Sequence, residues 1–373
     1  MNPLFSRSRL IVIGFRRWKA YSLFPILSAL FREVVYVPTV RAAERKGLCR
    51  QDFVAVWGDG RRVAGLKECV ERHGATLLHI EDGFIRSVGL GSDLIAPISL
   101  VLDEAGIYFN PLHPSGLERL LNTHLFSSEE LLRARRICDF IVANRLTKYN
   151  IDTLTLPVWL PDAAGRKIIL VPGQVEDDAS IRLGCTTVNT NLLLLQAARK
   201  ACPDDFIVYK PHPDVLAKNR QGALAAAHVY ADRVETESSI ISLLEICSEV
   251  HTMTSLAGFD ALLHGRRVVV YGRPFYAGWG LTEDLGRPFA AGRRLRMLTL
   301  EELAAATLLL YPIYCDWQRR RVTDCETALQ QILQQRNALH GSGGIVRLKQ
   351  GFIRRQMRKV VVLAYAFGSK WYK

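Results

Sequence analysis

Two patterns alternate along the chain. Short apolar runs that stop at Gly, Pro or an acidic residue read as buried strands, and longer segments with apolar positions three and four apart read as helices. In the first half, Phe53-Val-Ala-Val-Trp57 is a strand closed by Gly58, residues 62–73 are a helix, and Ala75 to Ile80 is a strand that runs into Glu81-Asp82-Gly83. Ile98 to Leu102, Asp103-Glu-Ala-Gly106 and Ile107-Tyr-Phe109 read as a hairpin. Ser127-Ser-Glu-Glu130 offers a capping box for a helix reaching about Arg145. The second half is more regular. Strands at Lys167 to Val171, Phe206 to Tyr209, Glu249 to Thr252 and Arg267 to Tyr271 alternate with helices at Asn191 to Lys200, Ser239 to Cys247 and Leu256 to His264. Such alternation predicts a parallel, doubly wound sheet. In these sheets ligands sit outside the carboxyl ends of the strands.

A Pro-bearing linker, Leu156-Pro-Val-Trp-Leu-Pro161, separates the halves. The division expected is 1–160 for an N-terminal Rossmann-like domain, 161–335 for a C-terminal one and 336–373 for a basic amphipathic segment. Gly341-Ser-Gly-Gly344 reads as a joint before that segment. With 373 residues the chain has room for both domains.

Charge changes this picture at the ends. The chain carries +13 net; residues 1–50 hold ten Lys/Arg against two acids, and residues 341–373 hold eight Lys/Arg and no acid. The middle is slightly acidic, which argues against a nucleic-acid groove. Basic ends fit an anionic membrane surface better, at about 1 kcal/mol per well-placed cation. The alternative is that the C-terminal segment folds back on the first domain, its aromatics packed and its cations solvated. The apolar runs near the N-terminus, Leu10 to Phe15 and Ala20 to Phe31, are too short to span a bilayer or to make a secretory signal. A cytoplasmic protein, peripheral on the inner face of the cytoplasmic membrane, is expected. The eight cysteines form no C-x-x-C pair, which argues against a zinc site or a disulfide framework.

Polar clusters follow the predicted strands. Gln174-Val-Glu-Asp-Asp178 sets three acids on one loop, where mutual repulsion must be offset by use or pairing. A carboxylate there can be nucleophile, base or ligand, or Asp177 or Asp178 can cap a helix through Ser180. In Lys210-Pro-His-Pro-Asp214 two prolines fix the backbone around one imidazole. Thr254-Ser-Leu-Ala-Gly258 opens a helix and suits an anion, although a cap needs only one of its hydroxyls. Glu81-Asp-Gly-Phe-Ile-Arg86 supplies acids and a guanidinium able to pair a carboxylate. Tyr271-Gly-Arg-Pro-Phe-Tyr-Ala-Gly-Trp-Gly280 interleaves aromatics with glycine, as a stacking platform or a rigid loop would. No G-x-x-x-x-G-K-[ST], H-E-x-x-H or G-x-S-x-G occurs.

In sequence these clusters read Val-Pro-Gly-Gln-Val-Glu-Asp-Asp-Ala-Ser, Tyr-Lys-Pro-His-Pro-Asp, His-Thr-Met-Thr-Ser-Leu-Ala-Gly-Phe and Tyr-Gly-Arg-Pro-Phe-Tyr-Ala-Gly-Trp-Gly-Leu-Thr, preceded by Glu81-Asp-Gly-Phe-Ile-Arg-Ser-Val-Gly-Leu-Gly91. From about Val54 to Pro312 the chain resembles the capsule-synthesis family of KpsC-type β-Kdo transferases. The resemblance implies a GT-B-like fold, two doubly wound domains with a cleft between them, and a CMP-Kdo donor. It implies retention of configuration through a covalent adduct on Asp177, with Asp178 as the other choice. By the same likeness Glu81 is acid/base at the acceptor, and His212 meets the phosphate or leaving group. Gln174, Lys210, Thr254, Ser255, Leu256 and Gly258 bind the donor. Arg86 and Arg182 are candidates for the sugar carboxylate. No metal or other cofactor is implied. The implied partners are a lipid-linked glycan acceptor, the membrane surface and other capsule-assembly proteins. The family type carries two tandem modules, whereas this chain has room for one. A transferase of the same fold using another nucleotide sugar, or a non-enzymatic capsule-assembly or export protein, are the rival readings.

Overall fold

In the computed structural model, which describes residues 5–151, 155–212, 215, 226–316, 319, 321–341 and 352–368, the apolar runs form two separate sheets. The first has the order β13-β12-β5-β4-β3-β1-β2. Its strands are β1 (Arg9–Ile13), β2 (Glu33–Val37), β3 (Phe53–Trp57), β4 (Thr76–Asp82), β5 (Ser99–Asp103), β12 (Pro312–Asp316) and β13 (Arg321–Thr323). β1 to β4 pair in parallel, with Leu10 opposite Phe53 and Ala55 opposite Leu78. Strands buried on both faces need no polar alternation, and the runs show none. Successive residues point to opposite faces. Leu10, Val12, Phe53 and Ala55 pack on Leu23, Ile26 and Leu27 of the helix Arg17–Leu30, while Ile11, Ile13, Val54 and Val56 pack on Leu66, Cys69 and Val70 of the helix Leu66–His73. Each fully buried aliphatic side chain contributes about 1.5–3 kcal/mol.

The second sheet has the order β11-β10-β9-β6-β7-β8, with β6 (Ile168–Pro172), β7 (Phe206–Lys210), β8 (Arg233–Val234), β9 (Glu249–Thr252), β10 (Arg267–Val270) and β11 (Glu283–Asp284). Every pairing in it is parallel. The chain lays β6, β7 and β8 outward to one side, then returns and lays β9, β10 and β11 to the other. Adjacent β6 and β9 therefore feed connections that depart in opposite directions, a topological switch point.

The strands and helices expected in the second half are present within one or two residues. So is the capping box: the Ser127 hydroxyl accepts from the Glu130 amide, the Glu130 carboxylate accepts from the Ser127 amide, and the helix runs Ser128–Ala143. The hairpin expected across 98–109 does not form. Asp103 Oδ1 accepts from the amides of Ala105 and Gly106 and makes the turn, but β5 finds its antiparallel partners in β4 and β12.

Compactness divides the chain discontinuously. One unit is Met1–Ile107 with Lys148–Ile151 and Thr307–Lys373, and the other is Tyr108–Thr147 with Asp152–Ala306. This differs from the sequential division at 160/161 and 335/336. β12 and β13 return to extend the first sheet, and the helix Ser128–Ala143 packs on the helix Leu300–Ala304 of the second unit.

The helix Phe352–Gly368 lies against the helix Arg17–Leu30 in the first unit. Tyr365 stacks on Tyr21 with ring centroids 6.5 Å apart, the Arg17 guanidinium sits 4.9 Å from the Phe367 ring, and Lys359 reaches Asp93 at 3.8 Å. Ala366 is buried, whereas Val360, Val361 and much of Tyr365 and Phe367 stay exposed. Residues 342–344 of the expected joint, and the cations Arg347, Lys349, Lys370 and Lys373, lie outside the described residues. Among the described residues no helix is long and apolar enough to cross a membrane.

One buried carboxylate holds the linker to the second sheet. Glu235, just past β8, accepts from Trp159 Nε1 and from the amides of Glu237 and Ser238, and Trp159 stacks on Phe206 at 5.4 Å. Glu235→Ala leaves three donors without their acceptor and should destabilise the protein by about 3 kcal/mol. Glu235→Gln keeps the shape and one acceptor oxygen and should cost less. Denaturant melts of the two variants check this; equal, negligible losses would show that the linker is held otherwise.

Candidate active site

The loops that leave β6 and β9 at the switch point are bolted together by one amide. Gln174 Nε2 donates to Thr254 Oγ1 at 3.0 Å, and Gln174 Oε1 accepts from the Thr254 amide at 2.9 Å. Thr254 Oγ1 donates onward to Ser180 Oγ at 3.1 Å. The Gln174 backbone is fixed by Asn191, whose side chain accepts from its amide and donates to its carbonyl, each at 2.9 Å.

This frame sorts the three acids. Glu176 accepts from the Asn191 amide at 2.8 Å and ties the loop to the helix Asn191–Ala201. Asp178 caps the helix Ala179–Gly184, accepting from the amide and hydroxyl of Ser180 at 2.9 and 2.8 Å. The helix-cap reading of the loop thus belongs to Asp178. Asp177, between them, is the exposed one.

Along the same edge, β7 ends at Lys210, with Pro211 buried and His212 half-buried beyond it; Pro213 and Asp214 lie outside the described residues. Ser255 caps the helix Leu256–Leu263 by accepting from the Ala257 amide at 3.2 Å. Gly258 sits under the Tyr276 ring: a Cβ there would fall 2.2 Å from the Tyr276 hydroxyl, which donates to the Ser255 carbonyl at 2.5 Å. The glycine thus allows an aromatic of the 271–280 loop to brace the helix start. Arg182 is exposed on the helix that Asp178 caps.

The first unit carries its own polar cluster at the carboxyl end of β4. Glu81 accepts from the Asp82 amide at 3.1 Å. Burial pushes its carboxyl up to about 7, the Asp82 charge adds to this, and Lys19 and Lys148 oppose it. Lys19 lies over the Trp57 ring at 3.0 Å, and burial draws its ammonium down to about 8. Arg86 does not present its guanidinium. It is buried, with Nε on Asp82 at 2.7 Å, Nη1 on Ser87 Oγ at 2.8 Å and Nη2 on the Ile95 carbonyl at 2.7 Å, and it lies against Gly91. Its place is that of a brace for the 82–95 loop.

Asn191 and Tyr276 were missed because each acts through a backbone atom far away in sequence. Among the described residues two groups have metal-donor chemistry, Glu44 with Cys69 and His73, and Cys202 with Glu249 and His251. Glu249 begins β9, at the other end from Thr254, and is bonded to His251 and Arg267.

Fold and geometry together define a two-unit α/β protein whose second, parallel sheet gathers polar loops at its switch point. The family model for capsule polysaccharide biosynthesis proteins matches residues 52–157 and 160–314, and the chain belongs to that family. It is 38% identical over 363 residues to the capsule polysaccharide modification protein LipA of Neisseria meningitidis, covering 97% of this chain and 50% of that protein. The chain thus spans about half the length of that curated relative. Two solved structures of Thermosulfurimonas dismutans KpsC resemble it. The beta Kdo 2,7 transferase is 34% identical with a TM-score of 0.69, covering 88% of this chain and 99% of that one. The beta Kdo 2,4 transferase is 30% identical with a TM-score of 0.75, covering 86% and 97%.

The raised Glu81 carboxyl gives a pH test. A group that prefers its proton in the folded state contributes stability fully below its ordinary value of 4.5 and loses it as pH rises through about 7. Glu81→Gln mimics the protonated form at every pH. Its melting temperature relative to wild type should therefore climb between pH 4.5 and 7.5. A difference that stays flat across that window would place Glu81 in an ordinary solvated setting.

Proposed function

We propose that the chain is a retaining glycosyltransferase that moves Kdo from CMP-Kdo to a lipid-linked glycan acceptor in capsule assembly. The observation that supports this most is the switch-point loop, where Glu176 and Asp178 hold helix starts and Asp177 is the exposed carboxylate between them. Family membership and the likeness to two β-Kdo transferases support the donor and acceptor classes.

In this mechanism a carboxylate oxygen of Asp177 bonds to the anomeric carbon as its bond to the phosphate oxygen breaks, and CMP leaves with the bonding pair. The acceptor hydroxyl then gives its proton to Glu81 and attacks the same carbon, and the Asp177 carboxylate departs. Two inversions give net retention. A carboxyl raised towards neutrality is suited to accept that proton near pH 7. Ser255 and the amides opening the helix Leu256–Leu263 receive the phosphate, with His212 and Lys210 at the leaving group. One phosphate and a good leaving group make no demand for a divalent metal.

The protein works at the cytoplasmic face of the membrane. The exposed Val360, Val361, Tyr365 and Phe367, with the cations of residues 341–373, support contact with anionic lipid while the helix rests on the first unit.

Incubation with CMP-Kdo and a Kdo-terminated lipid should release CMP and lengthen the lipid by β-linked Kdo. Asp177→Asn should lower turnover by about a thousandfold or more with the melting temperature kept, and the stalled wild type should show a Kdo adduct on this loop by mass spectrometry. Near-normal turnover in Asp177→Asn would refute the nucleophile. Release of UDP from a UDP-sugar, and none of CMP, would refute the donor.

Co-sedimentation with phosphatidylglycerol vesicles, and its loss in 0.5 M NaCl (roughly a 4 Å screening length), checks the membrane contact. Absence of binding at low salt would end it.

A further inference from the structure

We infer that Arg273 is the cation that receives an oxyanion of the donor, its sugar carboxylate or its phosphate, at the carboxyl edge of the second sheet. The inference rests on the donor reading above and names a residue that neither the sequence motifs nor that reading assigned.

The backbone brings Arg273 to the switch point. It follows β10 by three residues, after Tyr271 and Gly272. A Cβ at Gly272 would lie 2.6 Å from the Met253 carbonyl oxygen and 2.8 Å from the Thr254 methyl, so only glycine lets this segment pass so close to the β9 loop. A Cβ at Gly184 would fall 3.0 Å from that same methyl and 3.8 Å from the backbone of Arg273. Arg273 is thus packed beside the Gln174–Thr254 bolt and the end of the helix that Asp178 caps.

Its guanidinium is left short of partners. Nε is buried with no hydrogen-bond partner, and Nη2 reaches the Leu183 carbonyl only at 3.4 Å. Among the described residues no carboxylate pairs with it. Burial, together with its cationic neighbours Arg287 and Arg293, holds its guanidinium below the usual range. Arg287 is brought there by the next strand: β11 pairs in parallel with β10, and the Gly286 amide donates to the Val270 carbonyl. The nearby carboxylate of Glu118 is already divided between Arg293 and Arg294.

Other buried guanidinia are better held: Arg266 also leaves its Nε without a partner, but its Nη2 donates to the Glu245 carbonyl at 2.9 Å. Arg86 uses all three nitrogens, and Arg294 bonds Glu118 and the carbonyls of Pro274 and Ala277. A half-buried guanidinium with an orphaned Nε, set among like charges, destabilises the fold on its own. A bidentate oxyanion offsets all three deficits at once, and the fork of arginine fits one.

The test uses the full chain with Arg273→Gln and Arg273→Lys. Without ligand, Arg273→Gln should melt about 2 °C higher than wild type, because a repelled cation is gone. Calorimetric titration should show CMP-Kdo binding weakened at least about tenfold in Arg273→Gln and only partly restored in Arg273→Lys, which keeps the charge without the fork. If CMP alone weakens equally, the partner is the phosphate; if CMP binds as before, it is the sugar carboxylate. Unchanged CMP-Kdo affinity, or a melting temperature that falls in step with affinity, overturns the assignment. If wild type binds neither ligand, the donor reading fails by itself. Arg273 is then judged with inorganic phosphate, which at matched ionic strength should raise the melting temperature of wild type more than that of Arg273→Gln; equal shifts overturn it.

Discussion

The second unit depends on how two strands that are neighbours in space, but separate in sequence, are held at their loops. β6 and β9 pair over a short register, and beyond it their connections turn away from each other. Nothing in a parallel ladder fixes what lies past its last hydrogen bond. The side chain of Gln174 does so by presenting acceptor and donor to the amide and hydroxyl of one residue, Thr254. A primary amide offers both side by side on one carbon, in a single plane. A carboxylate there would meet the hydroxyl as an acceptor only, and would add a fourth negative charge to a loop that already holds three. The acid loop, the cap of Ser255 and the approach of Gly272 all take their positions from this bolt.

The electrostatics divide along the same lines. Most charges in the site are spent on architecture. Glu176 and Asp178 hold helix starts, Glu235 holds the linker, and Glu118 neutralises two arginines. Two groups stand apart from these: a Glu81 carboxyl pushed up towards neutrality by burial, and a guanidinium at Arg273 with an orphaned nitrogen. A buried carboxyl and an under-bonded guanidinium are each unfavourable in the free protein, which is the usual mark of a group kept for a ligand or a reaction.

The second sheet was legible in the sequence because its strands are short apolar runs closed by Pro-Gly, Lys-Pro or Gly, and the hydroxyls of Thr190, Ser239 and Ser255 mark helix starts between them. The polar clusters fell after those strands for the same reason. The first unit was less legible. β1 and β2 flank a helix whose apolar stretch dominates the composition of residues 9–37, so that stretch was read against a membrane span rather than as strand, helix and strand. The pairing of β5 with β12 joins residues about 210 apart, and no local pattern carries that information. The same non-locality hid Asn191 and Tyr276, whose partners are the backbone atoms of Gln174 and Ser255.

Arginine shows most plainly where sequence reading stops. Arg86, Arg182 and Arg273 all stand near polar motifs at strand ends, and type and spacing cannot rank them. The structure ranks them by what surrounds each planar group. Arg86 is enclosed by an acid, a hydroxyl and a carbonyl, so exposing it to a ligand would mean dismantling the 82–95 loop. Arg182 is open to solvent, where a charge is well hydrated and a new partner gains little. Arg273 is partly desolvated, under-bonded and repelled. An incoming oxyanion would replace poor hydration there, not good hydration, so the same hydrogen bonds are worth more at Arg273 than at either alternative.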